Sequence, residues 1–263
     1  MVDAYHEEIS QHVFQHDPEL TRLSKMSQVG NDSRHILALS KNMCIEALSG
    51  IYVLLSAGQQ YSEEFGKVNS LRLVPALKDG DFTLAESVAI LKYLASKYQT
   101  PDHWYPADLH KRARVDEYLA WQHMTIRFKG SRIFIFKTLL PFITGQPIPK
   151  DRMDEALEDL QSSIQSFEEK FLQDRPYIVG HQVSVADLVA VVELMQPLVA
   201  GIDPFDGRPK LIEWCERVKG AVGKELFDEA HEKSLKNKDT ISALDRNSPA
   251  LKQLAKKLQQ TYK

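Results

Sequence analysis

Val74-Pro75 and Glu86-Ser87 carry the most informative chemistry in this sequence. Proline pushes the residue before it into extended geometry, so Val74 exposes its own N–H and C=O. Those two groups can pair with an extended peptide as a neighbouring strand would. A helix opening at Glu86-Ser87 turns unsatisfied backbone N–H groups outward, and such donors favour a carboxylate. Together they form an edge along which an extended peptide with a terminal carboxylate can lie. The same spacing also fits a plain hairpin leading into a capped helix, and on spacing alone that reading is favoured. His12 and His16 would share one face of a helix, a spacing that can hold a metal. No third ligand is evident, so a solvated tail is expected there and no metal.

The elements that must position these residues are legible from pattern. Ile51-Tyr52-Val53-Leu54-Leu55 is a β-rich run bounded by Gly50 and Gly58. Short strands flank Asp79-Gly80, a dipeptide suited to the positive φ of a tight hairpin. Pro75 cannot donate to a ladder, so its strand is an edge or its bond has special geometry. Ala85-Glu86-Ser87 opens a helix with Ile90, Leu91, Leu94 and Tyr98 on its apolar side. Pro101 and Pro106 bracket Trp104-Tyr105 in what reads as a linker. Beyond it everything reads as helix. Met153, Leu157, Leu160, Ile164, Phe167 and Phe171 form an amphipathic stripe, as do Leu211, Trp214, Cys215 and Val218. Ser184-Val185-Ala186-Asp187 fits a capping box before an apolar run that must be buried on all sides. A Lys-rich polar stretch follows Val218, and Ser248-Pro249 starts a short terminal helix.

Composition narrows the class. The chain has 263 residues, 43% of them hydrophobic and 26% charged, which fits a globular protein with one or two domains. A net charge of -3 gives no reason to expect nucleic acid or an anionic membrane as partner. Two cysteines, Cys44 and Cys215, make no disulfide framework, so a reducing compartment is the default. The N-terminus lacks the pattern of a secretory signal, and Leu188 to Met195 is too short to span a bilayer. A cytoplasmic protein is the expectation.

The stretches Gly58–Phe65, Leu73–Ile90, Trp104–Pro106, Arg112–His123 and Ser184–Leu188 resemble theta-class glutathione transferases, over roughly residues 51 to 231. The resemblance implies a thioredoxin-like α/β N-terminal domain followed by an all-α helical C-terminal domain. The expected division is a polar extension over 1–18 and a glutathione-binding domain over 19–98, divergent over 19–50. A linker over 99–109, a helical domain over 110–232 and a polar tail over 233–263 follow. The resemblance places Val74, before a cis Pro75, against the cysteinyl backbone of glutathione, and Glu86 and Ser87 at its γ-glutamyl end. Gln60 stands where the family contacts the glycyl carboxylate, and Leu73 where a lysine is common. Arg127 matches an arginine that can reach the active site and favour anionic sulfur. A surface cation is its other reading. Asp187 is structural.

The family activates glutathione with a serine in a short loop near the N-terminus. A hydroxyl donating to sulfur lowers a thiol pKa that is otherwise about 8.5. Ser27-Gln28-Val29-Gly30-Asn31-Asp32-Ser33-Arg34 begins and ends as that loop does but is longer. Ser27 is the first candidate, with Ser33 and Ser40 behind it. The implied reaction is attack of glutathione thiolate on small electrophiles (halides, sulfate esters, epoxides), with hydroperoxide reduction as a further activity. Glutathione is then a co-substrate, no cofactor is called for, and the expected assembly is a homodimer. The alternative is a catalytically silent fold serving as a binding or dimerisation module.

Overall fold

Four strands build the first domain in the computed structural model, which describes residues 10–16, 48–54, 61–98 and 100–235 and positions 252, 256 and 258. They are β1 (Ser10–His16), β2 (Leu48–Leu54), β3 (Ala76–Asp79) and β4 (Phe82–Ala85), in sheet order β2-β1-β3-β4. Strand β1 runs antiparallel to β2 and parallel to β3, while β3 and β4 form an antiparallel hairpin. Helix α1 (Glu63–Val68) precedes β3, and α2 (Ser87–Lys97) follows β4.

Residues 10–16 therefore do not belong to a solvated extension ending at 18. They form an internal strand, and His12 and His16 sit on extended backbone where helical spacing has no meaning. Only Val13 and Phe14 are apolar in Ser10–His16, so hydrophobic alternation could not reveal it. Backbone pairing on both flanks defines this strand, and pairing with distant segments leaves no local pattern. The hairpin turn also sits one residue later than the Asp79-Gly80 reading. Asp79 pairs with Phe82, and Gly80, with φ +60°, is the first of the two central residues.

The chain divides between Thr100 and Pro101. The expected linker over 99–109 is thus mostly part of the helical domain. Trp104 is buried at 3% exposure, its carbonyl accepts from Val185 N at 3.0 Å, and His103 Nδ1 lies 2.7 Å from the Val183 carbonyl. A rod of helix then runs unbroken from Leu109 to Thr144. It comprises α3 (Leu109–Gln122), α4 (Phe128–Phe134) and α5 (Leu140–Thr144), joined by π-helical turns at His123–Arg127 and Ile135–Leu139. Helix α6 (Lys150–Ser166) passes into a further π turn, Phe167–Leu172, before α7 (Val185–Val199) and α8 (Pro209–Val222). Helix α9 (Lys224–Leu235) lies mostly inside the expected helical domain and runs three residues past its bound at 232.

Helix α7 is buried almost all round, as its apolar sequence requires, and it packs against α3, α4, α8 and α9. The α6 stripe ends in Phe167 and Phe171, which pack edge-on against the Tyr118 ring at 5.7 and 5.2 Å. Phe167 also meets Trp214 edge-on at 5.2 Å, so α3, α6 and α8 share one aromatic contact region.

Asp187 ties this core together. Its carboxylate is fully buried and accepts from Ser184 N and Oγ, each at 2.9 Å, from Ile178 N at 2.9 Å and from Trp214 Nε1 at 3.0 Å. Burial pushes its pKa up, and these donors offset that rise only in part. Asp187→Ala strands three buried N–H donors, each costing about 1–3 kcal/mol. The expected outcome in urea unfolding is a loss of more than about 3 kcal/mol. An unchanged midpoint would remove Asp187 from this structural role.

Candidate functional site

The β3–β4 ladder brings the two informative dipeptides together. Its last pair is Ala76 with Ala85. Val74-Pro75 stands immediately before the Ala76 end of that pair and Glu86-Ser87 immediately after the Ala85 end, so both dipeptides flank the same end of the hairpin. The Val74–Pro75 bond is cis, as the resemblance implied. Pro75 is buried, and the half-buried Val74 side chain packs against the cluster of Phe65 and Ala76. Leu73, which stands where a lysine is common, is 58% exposed.

Glu86 closes the other side. It caps α2 with φ 72° and ψ 116°, and its carbonyl accepts the first helical bond, from Ile90 N at 3.0 Å. A non-glycine residue at positive φ costs of order 1–3 kcal/mol and persists only where its surroundings enforce it. Here the short step from β4 into α2 does so. The Glu86 side chain makes no capping bond, so the backbone N–H groups of the first turn have no donor-satisfying side chain from that residue. Glu86 is exposed and Ser87 half-buried. The edge therefore offers a backbone donor and acceptor at Val74, N–H groups at the start of α2, a hydroxyl at Ser87 and a carboxylate at Glu86. That set complements an extended peptide bearing both an ammonium and a carboxylate.

Arg127 lies in the helical domain, at the end of the first π turn. Its Nη1 donates to Glu193 Oε1 at 2.8 Å, and Gln196 Nε2 donates to Glu193 Oε2 at 3.0 Å. Glu193 is 2% exposed, so Arg127 neutralises a buried carboxylate and is not a plain surface cation. Removing it leaves that carboxylate poorly compensated, which mixes a stability loss into any kinetic effect. Ser27, Ser33, Ser40 and Gln60 lie outside the described residues.

Three contributors escaped the sequence reading. Glu193 looked like a mere interruption of an apolar run. Arg72 adopts positive φ (58°), and its guanidinium donates to the Ser62 carbonyl across Gly66, where any Cβ would meet Arg72 Nη2 at 2.7 Å. Asn69, the C-cap of α1, is buried at 5% exposure and bonded to the loop that leads into Val74. Asn69 closes α1 in extended conformation (φ -140°), so the left-handed preference that marks asparagine at helix ends gave no signal for it.

A separate cleft of about 610 Å³ opens within the helical domain, lined by Met195, Leu198, Phe205, Ile212, Cys215 and Phe227 among others. None of the candidate glutathione-site residues lines it. Burial, and then the Glu216 charge, push the Cys215 thiol up to about 12, so it is no nucleophile near neutral pH.

Residues 51–96 match the N-terminal domain of glutathione S-transferases, and residues 132–220 match the C-terminal domain. A glutathione S-transferase theta-1 of Gallus gallus is 55% identical over 182 residues, 69% of this chain and 70% of its own length. The chain belongs to the theta class of the glutathione S-transferase family. Among solved structures, the apo human glutathione S-transferase T1-1 superposes with a TM-score of 0.79 at 40% identity, covering 96% of this chain and 100% of its own. A human theta-class enzyme bound to the glutathione conjugate of 1-menaphthyl sulfate superposes with a TM-score of 0.77 at 37% identity, covering 93% of this chain and 96% of its own. These matches carry the thioredoxin-like and helical domains that the resemblance implied.

The strained Glu86 yields a stability test. Glycine adopts φ 72° freely, gaining back about 1–3 kcal/mol of strain against about 0.5–1 kcal/mol of added chain entropy. Glu86→Gly is expected to match or exceed the parent in urea unfolding, by up to about 2 kcal/mol. A clear destabilisation would show that Glu86 bears no backbone strain.

Proposed function

We propose that this transferase binds glutathione along the Val74–Pro75 and Glu86–Ser87 edge and joins its sulfur to small electrophiles. The observation that supports the reading is the β3–β4 ladder, whose last pair, Ala76 with Ala85, is flanked by the cis Val74–Pro75 bond on one strand and the start of α2 on the other. In this reading Val74 pairs with the cysteinyl backbone, while Ser87 and the α2 N–H groups hold the γ-glutamyl carboxylate. Glu86 faces the γ-glutamyl ammonium, and Gln60 donates to the glycyl carboxylate. One hydrogen bond to such a charged group is worth about 1.5–3 kcal/mol, so Ser87→Ala weakens binding without unfolding the chain.

In the reaction the sulfur forms a bond to carbon, and halide or sulfate leaves with the bonding pair. With an epoxide the ring oxygen takes the pair and then a proton. The relative bound to a glutathione conjugate of 1-menaphthyl sulfate supports sulfate esters as one substrate class. Hydroperoxide reduction is a further proposed activity. Ser27 is the proposed hydroxyl that donates to the thiolate, with Arg127 adding positive charge. The long segment from Gln28 to Arg34 loosens that placement, so turnover is expected to be weak relative to binding.

The test is the ultraviolet absorbance of the bound thiolate as pH is raised. A serine-activated thiol ionises below its usual pKa of about 8.5, and Ser27→Ala returns it toward that value. A depressed pKa that Ser27→Ala leaves unchanged would move the role to Ser33, Ser40 or Arg127. Glutathione retained without any depression would leave a binding module.

We further propose a homodimer and a cytoplasmic location. Tyr61, Leu71, Leu73 and Phe82 expose apolar surface on the first domain, and Met124 does so just past α3. Closed two-fold assembly is the commonest way to cover such surface. Among the described residues no helix is long and apolar enough to cross a membrane. Light scattering at micromolar concentration is expected to give twice the chain mass of 30.0 kDa. A species at the single-chain mass would reject the dimer.

A further inference from the structure

The loop from Asn69 to Val74 holds a demanding shape, tied to α1 by the Arg72 guanidinium on the Ser62 carbonyl and by Val74 packed against Phe65. Leu71 and Leu73 are 63% and 58% exposed, so their side chains anchor nothing within this domain. Arg72 sits at positive φ. Asn69 is the loop's one buried residue before Pro75, and all its polar groups are spent on the loop and the helix before it. Its backbone N–H donates to the Phe65 carbonyl at 2.9 Å, and its own carbonyl accepts from Arg72 N at 3.0 Å. Its side-chain Oδ1 accepts from Leu71 N at 3.0 Å, and Nδ2 donates to the Leu73 carbonyl at 2.7 Å. This amide orientation is fixed by its partners, because a flip would set donor against donor and acceptor against acceptor.

The Leu73 carbonyl and the Val74 N–H belong to one planar peptide unit and point in opposite directions. Holding the carbonyl therefore aims the N–H. We infer that Asn69 is a positioning residue for glutathione: by fixing the Leu73–Val74 peptide plane it orients the Val74 N–H that pairs with the tripeptide backbone. This rests on the proposed binding edge. Asn69 does not touch glutathione itself. It sets the donor in place before the ligand arrives, so that binding does not have to order the loop.

Asn69→Asp separates this role from a purely structural one. The substitution is isosteric and keeps the acceptor for Leu71 N, but an ionised carboxylate opposes the Leu73 carbonyl and turns the peptide plane. A protonated carboxyl can donate to that carbonyl as Nδ2 did. A carboxyl buried against a carbonyl has a raised pKa, so the donor returns as pH falls. The probe is S-methylglutathione, which has no ionisable thiol, titrated calorimetrically over about pH 5 to 8. Parent affinity is expected to be flat, while Asn69→Asp binds about tenfold more weakly at the upper end and recovers toward the lower. If Asn69→Asp fails to fold, Asn69→Gln, which displaces both groups by one methylene, is expected to show the same loss without the pH dependence.

A folded Asn69→Asp with parent affinity at every pH, or with only a lowered urea midpoint, overturns the inference. Ser87→Ala, run alongside, separates the two levels. Binding that Ser87→Ala weakens and Asn69→Asp leaves untouched rejects the role of Asn69 alone. A parent chain that does not bind the probe rejects the edge and Asn69 together.

Discussion

The antiparallel ladder of β3 and β4 is the constraint on which the candidate site depends. Four residue pairs close over a two-residue turn, and their register decides which residue before β3 stands beside which residue after β4. A slip of one position would shift the approach to β3 against the start of α2 and turn every side chain of the hairpin to the opposite face. Further bonds hold the hairpin against α2. Asp79, at the end of β3, accepts from the Tyr93 hydroxyl at 2.5 Å and pairs with Lys97 one turn further on. The Phe82 and Tyr93 rings meet at 5.2 Å. Helix, hairpin and edge are thereby one mechanical unit, and the strain at Glu86 is the cost of the tight step between them.

The helical domain rests on a different kind of constraint. A fully buried carboxylate, Asp187, gathers donors from the loop before α7, from the α7 cap and from α8. Glu193, six residues along the same helix, is buried against Arg127 from the first π turn and accepts from Gln196 of its own helix. Buried charges of this kind add little net stability, but they penalise any packing that leaves them unpaired. They specify where α7 sits among its neighbours, a choice its nearly uniform apolar surface leaves open. The π turn that ends in Arg127 widens the helix just where Glu193 must be met.

Much of this was determined by sequence alone. The hairpin, α2, the amphipathic α6 and α8, the buried α7 and its Ser184–Asp187 cap all follow from periodicity and capping chemistry, which act within a few residues. The edge at Val74-Pro75 and Glu86-Ser87 was legible as chemistry, although on spacing alone a plain hairpin and capped helix was the better explanation. Tertiary structure decided the rest. Ser10–His16 is a strand because β2 and β3 pair with it, and residues 101–108 join the helical domain because Trp104 and His103 bond to residues near Val185. Arg127 takes its partner from a helix distant in sequence, and Asn69 acquires its role from the geometry of a loop with no periodicity. Local patterns record what a residue prefers, whereas pairing and burial depend on which distant segment arrives, and that is settled only when the chain closes on itself.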